Sequence, residues 1–156
     1  MEINPCEGKK SLTIDAVLAF AIAKEEEATR RYQQLAQQVM DPELSDLLRT
    51  MAFQEEIHRQ KLEAMAAGDL SALSLEGFLA DPVAEMAAVA EPGPDASLAQ
   101  VLLFAVNAEQ QAFQIYMFLA AAVTDPGIAA LLRSLAEEED QHRKRLERMY
   151  REVALR

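Results

Sequence analysis

The chain has 156 residues, of which 51% are hydrophobic and 26% are charged, so it is long enough for one domain with a substantial core. Its formal net charge of −11 argues against nucleic acid or an anionic membrane as the main partner. The single cysteine excludes an intrachain disulfide, and no apolar run is of signal-peptide or membrane-spanning length, so we expect one cytoplasmic domain over residues 1–156.

Four segments of the chain have the apolar periodicity and composition of helices. Their apolar residues recur at alternating steps of four and three, and Ala, Leu, Glu and Gln are abundant. Ser11 or Thr13 could cap the first helix, and Ser97 the third. Asp41-Pro42 and Asp125-Pro126 begin the second and fourth, because Asp is a good N-cap and Pro fits the first helical position. We predict helices at roughly 13–39, 42–67, 97–123 and 126–153.

The chain contains an internal repeat. A shift of 84 positions aligns residues 20–65 with residues 104–149 without a gap, and it superposes Leu47-Leu48-Arg49 on Leu131-Leu132-Arg133. This pattern indicates a duplicated helical hairpin, at about 13–67 and 97–153. A crossover at about 68–96, with a short helix predicted from Asp81-Pro82, joins the two hairpins. We therefore predict an all-α, ferritin-like four-helix bundle with a long crossover between helices two and three.

Six ionisable residues interrupt the apolar faces of these helices at mid-length. Two of the helices carry Glu-x-x-His, a spacing that places a carboxylate and an imidazole on one helix face. Glu25 precedes Asp41 by 16 residues and Glu55 follows it by 14. At about 1.5 Å per residue both lie some 20–25 Å from the turn, nearly level with each other, and the repeat places its own residues likewise. The six residues are Glu25, Glu55, His58, Glu109, Glu139 and His142.

This residue set predicts a two-metal site. Four buried carboxylates are costly without compensation, and two divalent cations would balance their charge. Carboxylate and imidazole ligands suit iron or manganese, and zinc also binds them. In bundle sites of this kind two helices supply one terminal Glu each. We therefore predict Glu25 and Glu109 as terminal ligands. Glu55 and Glu139 are then the bridges, and each histidine supplies one nitrogen ligand per metal.

Two further groups of residues lie near this level. Tyr32 and Tyr116 follow Glu25 and Glu109 by two turns; each either packs in the core with a satisfied hydroxyl, hydrogen-bonds to a ligand carboxylate or has a redox role. Several acids fall off the apolar seams. We expect them mostly on solvated faces, with guidance of a metal ion into the site as the alternative for one of them. These acids are Glu26, Glu27, Glu56, Glu137, Glu138 and Asp140.

The segment Glu25–Tyr32 and the two Glu-x-x-His motifs resemble the rubrerythrin-like branch of the ferritin-like di-iron proteins. The resemblance spans all four helices. It implies a non-haem di-iron carboxylate centre that performs redox chemistry on hydrogen peroxide or dioxygen, as in rubrerythrin-like peroxide reduction under oxidative stress. The alternatives are a ferroxidase, iron handling or storage, and a non-catalytic bundle that carries or senses iron.

The sequence departs from rubrerythrins proper in two respects. With a single cysteine it lacks the rubredoxin-like iron–cysteine domain that delivers electrons in that family. The family's additional glutamate, one turn after the third-helix ligand, corresponds here to Ala112. The resemblance therefore implies an external electron donor, either another protein or a small reductant.

Helix three predicts an association surface. Residues 113–122 are apolar nearly all round, whereas the matching residues 29–38 are polar away from the seam. Such a surface requires cover. We expect the crossover and a second subunit both to contribute, and hence a homodimer.

Overall fold

The computed structural model describes residues 13–66 and 91–155, which contain four helices. They are α1 (Ile14–Gln38), α2 (Pro42–Met65), α3 (Leu98–Ala122) and α4 (Pro126–Ala154). Each end lies within two residues of its predicted position. The helix predicted from Asp81 lies outside the described residues, as do Ser11 and Cys6. Among the described helices, none is both long and apolar enough to cross a membrane.

Each helix begins at a residue whose side chain accepts a hydrogen bond from the backbone N–H three residues later. This bond satisfies one of the free N–H groups of the first turn. The helix-capping residues are Thr13, Asp41, Ser97 and Asp125. Pro42 and Pro126 follow the two aspartates at the first helical position. An N–H there has no partner within the helix, so its absence in proline costs no hydrogen bond. The caps proposed from the sequence are confirmed, with Thr13 rather than Ser11 at the first helix.

The core divides into two apolar clusters, one at each end of the bundle. The proximal cluster contains the start of α1 and consists of Val17, Leu18, Phe20, Ala21, Ile22, Leu62, Ile115, Tyr116, Leu119, Ala120, Ile128, Leu132, Leu135 and Ala136. The distal cluster consists of Tyr32, Leu35, Ala36, Leu44, Leu47, Leu48, Met51, Ala52, Val101, Leu102, Phe104, Ala105 and Leu146. Both clusters draw on all four helices.

The order of the clusters along each helix gives the topology. Helices α1 and α4 run from the proximal to the distal cluster, and α2 and α3 run the opposite way. Within each hairpin the two helices therefore pack antiparallel, α1 along α2 and α3 along α4. Helices α2 and α3 are parallel, so the end of α2 and the start of α3 lie at opposite ends of the bundle, about 36 Å apart for the 24 residues of α2. This placement agrees with the long crossover expected from the sequence.

The outer face of α3 carries partly exposed apolar side chains. Leu103, Met117 and Phe118 are 44%, 43% and 42% exposed. This agrees with the apolar surface read from the sequence. The crossover residues expected to cover it, between positions 70 and 86, lie outside the described residues, and the homodimer stays a prediction.

We expect both apolar clusters to stabilise the bundle to a similar extent. Leu48 and Leu132 are repeat-related and fully buried, one in each cluster. Changing either to Ala should lower the free energy of unfolding by about 2–5 kcal/mol, because it leaves a cavity. Urea denaturation of the metal-free protein would measure this. Met40→Ala, at a residue 97% exposed, is the control and should cost less than about 0.5 kcal/mol. A loss as small for Leu48→Ala would contradict the prediction.

Candidate metal centre

A layer of polar side chains separates the two apolar clusters at mid-height. Its members come from all four helices and are the six residues predicted from the sequence: Glu25, Glu55, His58, Glu109, Glu139 and His142. The four glutamates and His58 are at most 2% exposed. The side chain of His142 is 13% exposed. The structure therefore brings every predicted ligand into one buried layer.

Three carboxylates surround Nδ1 of His58. It lies 3.0 Å from Glu139 Oε1, 3.1 Å from Glu55 Oε2 and 3.7 Å from Glu25 Oε1. The potential ligand atoms of these four residues all lie within 4.8 Å of one another. A single N–H on the imidazole cannot satisfy three carboxylates, whereas a cation can accept a lone pair from each of the four groups.

A second, equivalent group surrounds Nδ1 of His142. It lies 3.3 Å from Glu139 Oε2, 3.4 Å from Glu109 Oε2 and 3.7 Å from Glu55 Oε1. These four residues also have potential ligand atoms within 4.8 Å of one another. The two imidazole rings are nearly parallel, with centroids 5.8 Å apart. The layer therefore contains two adjacent sites, each of three oxygens and one nitrogen.

Glu55 and Glu139 belong to both groups. Each directs one carboxylate oxygen toward His58 and the other toward His142. A carboxylate with its two oxygens facing two neighbouring sites has the arrangement of a metal bridge. Glu25 belongs only to the His58 group and Glu109 only to the His142 group, which is the arrangement of terminal ligands.

Several buried atoms of this layer have no hydrogen bond within the described part of the protein. They are Glu55 Oε1, Glu109 Oε2, both carboxylate oxygens of Glu139 and Nδ1 of His142. Buried polar atoms without partners are costly and uncommon. Divalent cations would satisfy all of them at once, so the donor set fits a pair of metal ions.

Two tyrosines hold the terminal glutamates from the opposite hairpin. The Tyr32 hydroxyl on α1 donates a hydrogen bond to Glu109 Oε1 on α3, and the Tyr116 hydroxyl on α3 donates one to Glu25 Oε1 on α1. Both tyrosines are buried. Of the roles weighed from the sequence, the structure shows the hydrogen bond to a candidate ligand carboxylate. A redox role stays a prediction.

The buried charges shift the pKa values of the metal-free site. Burial raises the pKa of Glu25 well above its ordinary value and that of Glu109 to about 8. Burial acts to lower the pKa of His142, but the nearby carboxylates of Glu109 and Glu139 outweigh it and raise the pKa to about 10. The metal-free site thus holds protons where a loaded site would hold cations. Metal binding must displace these protons.

One acid outside the six contacts the site directly. Glu138, expected on a solvated face, accepts a hydrogen bond from His58 Nε2 at 2.9 Å through Oε2. Its other oxygen accepts one from Lys61 Nζ at 2.8 Å. This contact crosses from α4 to α2. It depends on how the two helices are rotated about their axes, which hydrophobic periodicity does not specify.

Other off-seam acids form ion pairs with basic residues of their own helix. Glu27 pairs with Arg31 at 2.7 Å, and Asp140 with Lys144 at 2.6 Å. Such partly exposed i,i+4 pairs contribute little to stability. This agrees with the solvated faces expected for these residues.

A cavity of about 270 Å³ opens onto the polar layer between α1 and α3. The four glutamates and the two tyrosines line it, together with small alanines, two larger apolar residues and a rim of polar side chains. Ala28 and Ala112 are the residues one turn beyond Glu25 and Glu109, and both line this space. Because these two side chains are small, they leave space for a small molecule beside the carboxylates.

The metal-free protein should lose stability as the pH rises from about 5 to 9. With its pKa raised from 4.5 to about 8, Glu109 keeps a proton in the folded state that the unfolded chain has released, so unfolding becomes easier as pH rises through this window. His142 acts in the same direction: its contribution is complete below about 6.5 and is lost as pH rises through about 10. Thermal unfolding in the presence of a chelator would measure the midpoint.

Glu109→Gln is the matched control for this pH dependence, because the amide keeps the shape of the acid without ionising. We expect a shallower fall of the melting temperature in this variant. A melting temperature that rises from pH 5 to 9 in the unaltered protein would contradict the interpretation.

Comparison with known proteins agrees with this architecture. A crystal structure from Thermotoga maritima, of a protein provisionally assigned as a ferritin-like diiron-carboxylate protein, superposes with a TM-score of 0.66 at 20% identity, covering 94% of this chain and 99% of the other. A hypothetical protein from Pyrococcus furiosus superposes with a TM-score of 0.64 at 22% identity, covering 94% of both chains. At these identities the likeness concerns the fold, and it confirms the ferritin-like four-helix bundle.

The sequence comparisons identify the family. No curated protein matches the chain. The sequence model of the rubrerythrin family matches residues 16–91 and 100–156, which include all six residues of the polar layer. This match extends over most of the chain. The protein therefore belongs to the rubrerythrin family.

Proposed function

We propose that this protein is a di-iron carboxylate protein that reduces hydrogen peroxide. The observation that carries the proposal is the pair of adjacent ligand groups that share Glu55 and Glu139 and border a cavity. Membership of the rubrerythrin family supports iron as the metal. Manganese and zinc also match ligands of this type, so the choice of iron belongs to the proposal.

Each proposed metal position has its own pair of residues and two shared ones. Glu25 and His58 would hold one ion, and Glu109 and His142 would hold the other, while Glu55 and Glu139 would be shared by both. Four carboxylates and two divalent cations are then neutral together, which removes the cost of burying the acids. The site can form without rearrangement of the helices, because the candidate ligand atoms already lie close together.

The chemistry proposed for this centre needs two electrons and two protons. Two Fe(II) ions held by these residues would supply the two electrons that, with two protons, convert one hydrogen peroxide into two waters, and an external reductant would have to restore the electrons. Tyr32 and Tyr116 hold the terminal carboxylates in place through their hydrogen bonds. The alanine-lined cavity gives a small oxidant access to the layer while the apolar clusters close both ends.

The cavity supports a reaction of the centre with a small oxidant. It lies against the candidate ligands and has room for a small molecule. Dioxygen fits the same space and is the competing oxidant. Iron oxidation for storage and a purely iron-carrying role stay as alternatives that the experiments below distinguish. The homodimer and the cytoplasmic location also stay predictions, the former supported by the partly exposed apolar residues of α3.

Metal stoichiometry tests the assignment of ligands. We expect two iron ions per chain after anaerobic loading with Fe(II) and desalting, measured by elemental analysis. Glu55→Ala should abolish binding of both ions, because it removes a bridge from each group. Glu25→Ala, which alters one group alone, should leave one ion. Glu137→Ala removes a charge from an exposed neighbouring position and is the control. Two ions retained by Glu55→Ala would contradict the assignment.

Single-turnover reaction tests the chemistry. Protein loaded with two Fe(II) ions should consume one equivalent of hydrogen peroxide under anaerobic conditions and oxidise both ions, as followed by absorption and Mössbauer spectroscopy. We expect the reaction with peroxide to be at least tenfold faster than that with dioxygen. Faster reaction with dioxygen, with growth of a ferric mineral beyond two ions per chain, would instead indicate a ferroxidase. No reaction with either oxidant would leave a carrier or sensor.

A further inference from the structure

The two histidines of the polar layer differ in what holds their outer nitrogen. Nε2 of His58 lies 2.9 Å from Glu138 Oε2, and Glu138 Oε1 accepts a hydrogen bond from Lys61 Nζ at 2.8 Å. The side chains of Glu138 and Lys61 are 36% and 40% exposed, whereas His58 is 1% exposed. A chain of three groups thus runs from the buried imidazole to the surface between α2 and α4.

This chain of groups prepares His58 to bind a cation. A neutral imidazole that donates its Nε2 proton to Glu138 carries its lone pair on Nδ1, and Nδ1 is the atom that faces the three carboxylates. The negative charge of the Glu138 carboxylate beside the outer nitrogen makes the inner nitrogen a stronger donor to a metal, and the hydrogen bond fixes the ring orientation. Lys61 in turn holds Glu138 in position.

The second half of the repeat lacks this arrangement. The residue that corresponds to Glu138 is Gln54, since 138 − 84 = 54, and the residue that corresponds to Lys61 is Arg145, since 61 + 84 = 145. Within the described residues, His142 meets carboxylates only through Nδ1. Gln54, Arg145 and Glu138 line the same surface depression as His142, but within the described residues the hydrogen bond of Glu138 to an imidazole goes to His58 alone.

From this difference we infer that Glu138 is a positioning residue that makes the two metal positions unequal. The position of His58 binds its ion more tightly and fills first, and the position of His142 is the weaker, exchanging one. The inference rests on the proposed two-metal site and adds the order of filling. The exposure of the imidazoles points the same way, with His142 at 13% and His58 at 1%.

Titration of the metal-free full chain with Co(II) tests the inference. We expect two resolved binding steps in calorimetry and in the visible absorption of Co(II). Glu138→Gln should weaken the first step about 10–100-fold and leave the second nearly unchanged. Glu137→Gln is the matched control, since it removes the same charge one residue away at an exposed position. It should behave as the unaltered protein. Glu138 is partly exposed, so the variant is expected to fold, and circular dichroism would check this.

The repeat offers the reciprocal substitution. Gln54→Glu places a carboxylate at the equivalent position beside His142 and should tighten the second step by a similar factor. The double variant Glu138→Gln, Gln54→Glu should then reverse the order of filling. Imidazole ¹⁵N chemical shifts with one equivalent of Zn(II) report which histidine binds first. We expect Nδ1 of His58 to shift in the unaltered protein and Nδ1 of His142 in the double variant.

The possible results separate this inference from the proposed function. Two equal Co(II) steps, or a Glu138→Gln titration identical to that of Glu137→Gln, would overturn the inference and leave the two-metal site intact. The same holds if one equivalent of Zn(II) shifts both histidines equally. Absence of Co(II) binding to the unaltered protein would overturn the two-metal site itself, and the inference with it.

Discussion

The structure depends on the compensation of four carboxylates buried between two apolar clusters. These groups are at most 2% exposed, so most of their charge must be balanced from within the layer. In the metal-free protein two histidines and retained protons provide that balance, as the raised pKa values of Glu109 and His142 show. In the proposed centre two cations replace the protons. Metal binding would then be coupled to folding and would stabilise the folded protein, because the unfolded chain has no preformed site.

The duplicated hairpin explains how one short motif builds a symmetric site. Each hairpin supplies one Glu and one Glu-x-x-His, and neither hairpin alone contains a complete ligand group, since both groups require Glu55 and Glu139. The tyrosine bonds add to this interdependence, because Tyr32 and Tyr116 each hold a glutamate of the opposite hairpin. These bonds connect α1 and α3, which otherwise approach each other sparsely and leave the cavity between them. The pair of helices α1 and α3 therefore provides both the access to the layer and the hydrogen bonds that hold its ligands in place.

The sequence alone predicted the features that depend on hydrophobic periodicity and on the direction of the chain. Helix bounds followed from caps such as Asp41 and Asp125, and the level of the six polar residues followed from residue counts along antiparallel helices. It was insufficient for contacts that depend on the rotation of one helix against another. Glu138 is the clear case: Glu137 is exposed and Asp140 pairs with Lys144, yet Glu138 reaches His58 on α2. The choice among the roles of Tyr32 and Tyr116 likewise needed the position of the opposite hairpin.

The departures from symmetry lie outside the layer itself. The two hairpins have the same residues at Glu25 and Glu109 and at the Glu-x-x-His motifs. Glu138, in contrast, corresponds to Gln54 in the repeat. Reduction of a peroxide needs two electrons, so in the proposed centre a protein with one ion cannot complete the reaction. The weaker position then sets the metal concentration at which the protein becomes competent. Glu138, which is not itself a ligand, therefore sets the difference between the metal concentration that fills the first position and the higher one that fills the second.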